Sequence, residues 1–207
     1  MIYSGNKEQL IDALRENIVA IEYSLSYVKE NSNESYWQQN KGCLGFPAII
    51  LMSSVIDTLG SVFDGEVIIV GDSSITIKFD KESTHYYILN HNLLFNLNLR
   101  DATINDFRKS FRNTLIHNNS LTKNSFIRKG SLSDEIFCLD DEYKIQEIRL
   151  VPLFEKIKVA VSLFISKLEA EEYVVGHVMN DKLSNPTKAN IVLSDLDTDE
   201  LSGKQTI

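Results

Sequence analysis

Cysteine is scarce in this chain of 207 residues, and positive charge is in deficit. The two cysteines, Cys43 and Cys138, are too few and too far apart for a disulfide framework or a cysteine-rich zinc site. Lys and Arg number 21 against 29 Asp and Glu, which gives a formal net charge of −8. This charge argues against a general nucleic-acid coat protein, because binding to a polyanion requires a cationic surface. It leaves room for a local basic site.

Long apolar runs and leader patterns are also missing. The longest apolar run, residues 46–52, is soon followed by Ser53, Ser54 and Asp57, so it is much shorter than a membrane span. The first residues lack the basic-then-apolar order of a signal peptide. No Gly-rich phosphate loop and no Gly-x-Ser-x-Gly turn occurs. We therefore expect a cytoplasmic protein that does not contact a membrane.

What the sequence does contain is the composition of a globular protein, with 43% apolar and 24% charged residues. We expect one domain over residues 1–180, with β insertions at about 66–90 and 125–150. Residues 181–207 are rich in Ser, Asn, Asp and Thr without periodicity, which predicts an acidic, flexible C-terminal tail.

Apolar periodicity predicts four substantial helices. Helical spacing runs from Leu10 to Val28 and from Ile104 to Leu115, and it returns in residues 153–168 after Pro152. Residues 48–63 are apolar nearly all round, which is typical of a buried central helix. The segments with strand character are residues 67–70, 75–79, 126–127, 136–139 and 145–151. We therefore expect a mainly α fold, a four-helix bundle with short β-hairpin insertions before and after the third helix.

Several residues on the apolar faces need an interpretation of their own. Asp57 lies within the apolar second helix, and since a buried carboxylate must be paired, a capping or ion-pair role is favoured over a catalytic one. His85 and His91 have no carboxylate pattern that completes a metal site, so we expect no bound metal and no cofactor. The aromatic residues expected in the core are Tyr23, Phe46, Phe63, Phe107, Phe111 and Phe164.

The third helix carries three polar side chains suited to phosphodiester chemistry. On an ideal helical wheel Arg112, Asn113 and His117 fall off the apolar stripe, which predicts that they face outward. A His titrates near neutrality and can move a proton, and an Arg fork matches phosphate oxygens. An Asn can hold the His tautomer or a substrate oxygen. RNA brings its own nucleophile, the 2′-hydroxyl, so this arrangement requires no metal.

Local charge supports the same interpretation. Residues 100–130 carry seven cations and two anions, a net charge of +5, while the rest of the chain carries −13. Because a cationic region favours a polyanionic ligand, we expect RNA contacts from Arg108, Lys109 and Lys123.

The stretch from Arg112 to His117 resembles the signature of HEPN domains (higher eukaryotes and prokaryotes nucleotide-binding), in which Arg, a polar residue and then His lie on the third helix of a four-helix bundle. Here four residues separate Arg112 from His117, and Asn113 fills the polar position. Phe107 and Phe111 before the motif suit the same pattern. The resemblance of the whole bundle covers roughly residues 6–172, and its specific part about fifteen residues.

The resemblance implies a metal-independent endoribonuclease that acts as a homodimer, with the two motif helices meeting across a shared cleft. Arg112 and His117 would then be the catalytic pair and Asn113 the supporting polar residue, and the products would be a 2′,3′-cyclic phosphate and a 5′-hydroxyl. Many members are toxins with a partner antitoxin, or act in antiviral defence.

One position departs from the family pattern. Where a subgroup of these toxins has a Tyr that is nucleotidylated, two residues after the His, this chain has Asn119, which puts silencing by nucleotidylation in doubt. The alternative function is a non-catalytic HEPN-like module that binds RNA, a nucleotide or a partner protein. In the corresponding structural alternative, His117 interacts with the helix dipole and Arg112 pairs with an acid.

Overall fold

The structure is a computed structural model, which describes residues 7–31, 41–62, 66–69, 75–78, 82–118, 120–121 and 125–170. The tail predicted for residues 181–207 lies outside the described residues, as do Lys123 and Phe63.

Helices dominate the described residues. The five α-helices are α1 (Lys7–Ser26), α2 (Gly45–Ser61), α3 (Asp101–Asp106), α4 (Thr114–Asn118) and α5 (Leu150–Glu169). Two 3-10 helices span Lys29–Asn31 and Glu82–Asn90. A π-helical segment, Phe107–Asn113, joins α3 to α4 without a break. We call the continuous unit formed by residues 101–118 the motif helix.

The first β insertion is partly as predicted. Strands β1 (Glu66–Ile69) and β2 (Ile75–Lys78) form an antiparallel hairpin in which Glu66 pairs with Lys78. The insertion does not continue as strand to residue 90, because Glu82–Asn90 is a 3-10 helix. Its residues 85–90 are all buried in succession and the helix packs against α2, a position that an alternating strand with one solvent face would not fill.

The second β insertion contains the predicted hairpin, which a third strand extends into a mixed sheet. Strands β3 (Phe126–Arg128), β4 (Phe137–Leu139) and β5 (Ile145–Arg149) lie in the order β3-β5-β4. β4 and β5 are antiparallel, whereas β3 adds to the other edge of β5 in parallel. Periodicity marks each strand but carries no information about which edge a third strand joins.

The core lies where α1, α2 and α5 pack against one another and where α2 contacts the 3-10 helix Glu82–Asn90. Phe107, Phe111 and Phe164 are fully buried, as predicted. The expectation was wrong for Tyr23 and Phe46, which are 65% and 46% exposed. They lie at the edge of an apolar face, where an aromatic ring remains in contact with solvent. Within the described ranges, no helix has the length and apolarity needed to cross a membrane.

The β4–β5 turn holds the motif helix in place. The hydroxyl of Thr103 donates to the carbonyl of Tyr143 at 2.7 Å, and the amide of Ile145 donates to Asp106 at 2.8 Å. The Arg100 guanidinium lies 3.6 Å from the centre of the Tyr143 ring. These contacts fix the start of the motif helix relative to the sheet.

Candidate active site

The apolar side of the motif helix anchors it in the core. Phe107, Phe111 and Leu115 have no exposed surface. The rings of Tyr86 and Phe107 lie 5.7 Å apart, which joins the motif helix to the 3-10 helix Glu82–Asn90. With this stripe buried, the polar residues between its members lie at the junction with α2.

The π-helical segment changes the direction of the polar side chains. A π-helix closes i→i+5 hydrogen bonds and so has more residues in each turn than the 3.6 of an α-helix. The ideal wheel therefore does not hold beyond Phe107, where the segment begins. The Arg112 side chain is only 26% exposed and turns toward α2, so the expectation that it faces freely outward was wrong.

Asp57 of α2 contacts two side chains, one through each carboxylate oxygen. Arg112 donates from Nη2 to Oδ2 of Asp57 at 3.3 Å, and His85 Nδ1 lies 2.9 Å from Oδ1. The Asp57 side chain is 23% exposed, so water screens these contacts only in part. The prediction of an ion-pair role for Asp57 is confirmed. The same ion pair meets one condition of the structural alternative, in which Arg112 pairs with an acid.

Asn113 accepts a hydrogen bond from a second nitrogen of the Arg112 guanidinium. Arg112 Nη1 donates to Asn113 Oδ1 at 2.9 Å. With Asp57 on Nη2 and Asn113 on Nη1, the plane of the Arg112 fork is fixed before any ligand arrives. An Arg held by two acceptors loses little conformational freedom when it binds an anion.

These side chains surround a cavity of about 280 Å³, which we call the motif cavity. Its lining consists of Asp57, Ser83, Tyr86, Arg108, Arg112, Asn113 and His117. With the histidine neutral, two arginines and one aspartate give the lining a net charge of +1. At about 30 Å³ per water molecule, the volume equals roughly nine waters, enough for a phosphate group and its neighbouring oxygens.

Two side chains of the lining, Arg108 and His117, have polar atoms without a partner among the described residues. Arg108 Nε is buried and has no hydrogen-bond partner among them. The side chain of His117 is exposed and makes no hydrogen bond or ion pair within the described part of the chain. An unpaired buried donor costs free energy, so the Arg108 side chain would gain from a shift that brought Nε to an anion in the cavity.

Tyr86 closes one wall of the cavity as a neutral group. Its hydroxyl donates to the carbonyl of Ser53 at 3.1 Å. Burial raises the pKa of Tyr86 well above its ordinary value, and the negative charge of Asp57 raises it further. The phenol therefore stays protonated throughout the physiological range.

The structure thus brings four sequence-predicted residues to one cavity: Arg108, Arg112, Asn113 and His117. Lys109 is exposed on the π-helical segment and does not line the cavity. Lys123 lies outside the described residues.

Sequence reasoning missed that Asp57, His85 and Tyr86 belong to this site. The carboxylate in an apolar helix was the one available signal, because it required a partner that had to come from another element.

The histidines do not form a metal centre in the described residues. His85 is buried, and its Nδ1 lies within hydrogen-bond distance of Asp57 Oδ1. No group of three or more His, Cys, Asp or Glu side chains that could hold a metal ion occurs among the residues described.

Comparisons of the chain with protein-family models, with curated proteins and with solved structures gave no match. The interpretation of the motif cavity therefore depends on its own geometry and on the resemblance carried by residues 112–117.

Proposed function

We propose that this protein is a metal-independent endoribonuclease of HEPN type, with the motif cavity as its active site. The observation that carries the proposal is that Arg112, Asn113 and His117 line one cavity together with Arg108. An imidazole, a neutral amide and two guanidinium groups are the functions needed to move a proton beside a phosphodiester and to stabilise its developing charge.

In the proposed reaction the 2′-oxygen of a ribose forms a bond to the adjacent phosphorus, and the bond from phosphorus to the 5′-oxygen breaks. The imidazole of His117 takes the proton of the 2′-hydroxyl. A second imidazole, in its protonated form, gives a proton to the departing 5′-oxygen. Arg112, fixed by Asp57 and Asn113, donates to the non-bridging oxygens of the pentacovalent transition state. The products are a 2′,3′-cyclic phosphate and a 5′-hydroxyl.

A homodimer supplies the second imidazole in this proposal. The cavity of about 280 Å³ holds one phosphate but not the nucleotides on both sides of it, so the RNA must extend across an open face. Beside His117, Ile116 is 44% exposed, an apolar side chain available for contact with a second copy. We propose that two motif helices meet here, so that one protomer provides the base and the partner's His117 the acid.

The proposed bundle consists of α1, α2, the motif helix and α5. It is supported by the mutual contacts of α1, α2 and α5 and by the packing of the π-helical segment against α2. In keeping with the resemblance, we propose a role as a toxin or as an effector of antiviral defence, with an antitoxin or defence protein as partner.

The test is incubation of the full chain with a mixed RNA pool in EDTA, followed by analysis of the new termini. The wild type should produce 2′,3′-cyclic phosphates and 5′-hydroxyls. His117→Ala should cleave about 10²- to 10⁴-fold more slowly, because it lacks the proton-transfer group. Lys156→Ala, an exposed change on α5, is the matched control and should cleave like the wild type. Cleavage that survives in His117→Ala would exclude the proposed mechanism.

The second candidate function is a non-catalytic module that binds RNA, a nucleotide or a partner protein. The observation that favours it is the ion pair between Arg112 and Asp57, which compensates part of the arginine charge. In this case the wild type would cleave no RNA in any buffer and would bind it with a strong dependence on salt concentration.

A further inference from the structure

A second cavity lies at the opposite end of α2 from the motif cavity. It has a volume of about 390 Å³, and we call it the basic cavity. It is lined by Lys29, Lys41, Gly42, Cys43, Gly45, Phe46, Leu121, Ser125, Phe126, Ile127, Arg128, Lys129 and Leu150. No acidic residue lines it, and four of its residues are Lys or Arg.

The positive charge of the basic cavity is only partly compensated by its surroundings. Arg128 pairs with Glu147 of β5 at 2.6 Å. Glu30, near Lys29 and Lys41, accepts the amide of Gly42 at 2.9 Å, and this hydrogen bond lowers the pKa of Glu30.

Two of the cations remain available to a ligand. Within the described residues, Lys41 and Lys129 are exposed and make no ion pair. With four cations and the two neighbouring acids, Glu30 and Glu147, the region keeps a net charge of +2.

Two aromatic rings stand at the same cavity. Phe46, at the start of α2, is 46% exposed, and Phe126, on the edge strand β3, is 58% exposed. An exposed phenylalanine loses apolar contact, and two at one cation-rich cavity form a platform on which a nucleobase can stack. Phosphates held by Lys beside bases stacked on aromatic rings are the pattern of sequence-tolerant binding to single strands.

We propose that the basic cavity binds one nucleotide unit of a single-stranded RNA, its base on Phe46 or Phe126 and its phosphate on Lys41 and Lys129. The volume lies within the ~300–1,000 Å³ of small-ligand sites, which fits one nucleotide. This inference rests on the proposed function, because it assigns to the substrate of the motif cavity a second point of contact.

The path between the cavities sets the length of RNA needed. Phe46 and Asp57 lie at opposite ends of α2, eleven residues apart, which corresponds to ~16 Å along the helix axis. At ~3.4 Å per nucleotide of a stacked strand, this distance equals about five nucleotides. The chain after α4 also connects them, since His117 lines the motif cavity and Leu121 the basic cavity. A strand of eight or more nucleotides should therefore reach both cavities, whereas a trinucleotide should reach one.

The test measures affinity without cleavage, by fluorescence anisotropy of a 2′-O-methyl RNA decamer with the full chain. Phe126→Ala should weaken binding about five-fold or more, and Phe126→Trp should retain it, because the ring provides the stacking surface. The double variant Lys41→Ala, Lys129→Ala should reduce the slope of log Kd against log salt by about 0.7, the value for one phosphate contact on a single strand. The matched controls, Leu132→Ala and Lys156→Ala, are exposed residues outside both cavities and should bind like the wild type.

The arms of the experiment separate the possible ligands. A trinucleotide reaches one cavity only, so it should bind more weakly than the decamer. The Phe126→Ala effect should persist with the trinucleotide, because the basic cavity needs one nucleotide unit only. Decamer binding that is the same for Phe126→Ala, the double lysine variant and the wild type would overturn the inference. The inference would also be overturned if these variants lost self-association or a protein contact and still bound the decamer like the wild type.

The outcome for cleavage is read separately, from the wild-type chain. If the wild type cleaves RNA and the basic-cavity variants bind normally, the inference fails and the proposed function stands. If the wild type binds the decamer through Phe126 but cleaves nothing, the nuclease proposal fails and the nucleotide subsite stands. If it neither binds nor cleaves, both are wrong.

Discussion

The cavities at the two ends of α2 differ in whether their cationic side chains are paired. In the motif cavity, Asp57 holds Arg112 and His85 in fixed directions, and little charge is left over. In the basic cavity, Lys41 and Lys129 are not paired within the described residues, and the aromatic rings beside them are exposed. A fixed guanidinium suits a transition state whose geometry is defined, whereas free lysines suit a flexible strand. Under the two proposals made above, one helix would separate the site of chemistry from the site of affinity.

The strongest test of this separation is Asp57→Asn, which keeps the side-chain size and removes its charge. Arg112 and His85 lose their charged acceptor, so we expect cleavage to slow about 10²-fold through misplacement of the guanidinium. The net charge of the cavity lining rises from +1 to +2, so affinity for the 2′-O-methyl decamer should be equal or higher. Single-turnover cleavage and anisotropy measure the two effects, with the exposed Glu16→Gln as control. Loss of rate and affinity together would contradict the separation.

The next test displaces one wall of the motif cavity. A Cβ added to Gly60 would lie 2.2 Å from the backbone oxygen of His85, so the 3-10 helix Glu82–Asn90 must shift. We expect Gly60→Ala to lower the free energy of unfolding by about 1–3 kcal/mol and to slow cleavage. Decamer binding through the basic cavity should persist. Urea unfolding with Ser54→Ala, an exposed change on α2, as control measures the effect, and unchanged stability would contradict the tight packing.

A smaller effect is expected from Arg108→Ala. This arginine lines the motif cavity with a buried Nε that has no partner among the described residues. Its removal should weaken RNA binding about ten-fold, the value of one charge-assisted hydrogen bond, and leave the unfolding midpoint unchanged. Lys109→Ala, on the same π-helical segment but outside the cavity, should weaken binding less. An equal effect of the two variants would show that only general charge matters.

The smallest effect concerns pH and involves neither cavity. Burial lowers the pKa of His91, so the folded protein keeps this imidazole neutral below the ordinary value of about 6.5. The unfolded chain then binds more protons, and the free energy of unfolding falls as the pH drops through and below about 6.5. We expect His91→Asn to show a shallower decline between pH 7 and pH 5 in urea titrations. Any acid loss of cleavage that remains in this variant does not come from His91, and an unchanged decline of stability would exclude His91 as the source of the acid sensitivity.

The sequence predicted the positions of the helices and strands better than it predicted which of them pack against one another. The apolar spacing of Leu10 to Leu25 and of residues 153–168 located α1 and α5, because a buried helical face must recur every three or four residues. On the third helix the residue types Arg112, Asn113 and His117 singled out the candidate residues, but the π-helical segment made the direction predicted for Arg112 wrong. The sheet order β3-β5-β4 could not, since strand patterns are local and pairing is not.

Two features of the site depend on contacts that a single helix does not reveal. The position of the Asp57 carboxylate in an apolar helix predicted that it had a partner. The sequence did not identify the partners, because His85 and Arg112 lie 28 and 55 residues away along the chain. The exposed ring of Phe46 was assigned to the core, because an apolar residue next to an apolar face is normally buried, and no prediction was made for the ring of Phe126. Burial of such a ring depends on whether another element covers it, which is a tertiary property.

The π-helical segment has a consequence for chain length. Deleting one residue from Phe107–Asn113 would allow the helix to close ordinary i→i+4 bonds, because a π-helical segment accommodates one residue more than the α-helical turns it replaces. The side chains after the segment would then keep nearly the same direction relative to Phe107, although one residue fewer would separate them from it. A homologue shortened in this way could place an arginine and a histidine on the same surfaces with a different spacing. The number of positions between the two residue types is therefore informative only when the hydrogen-bond register of the intervening turn is known.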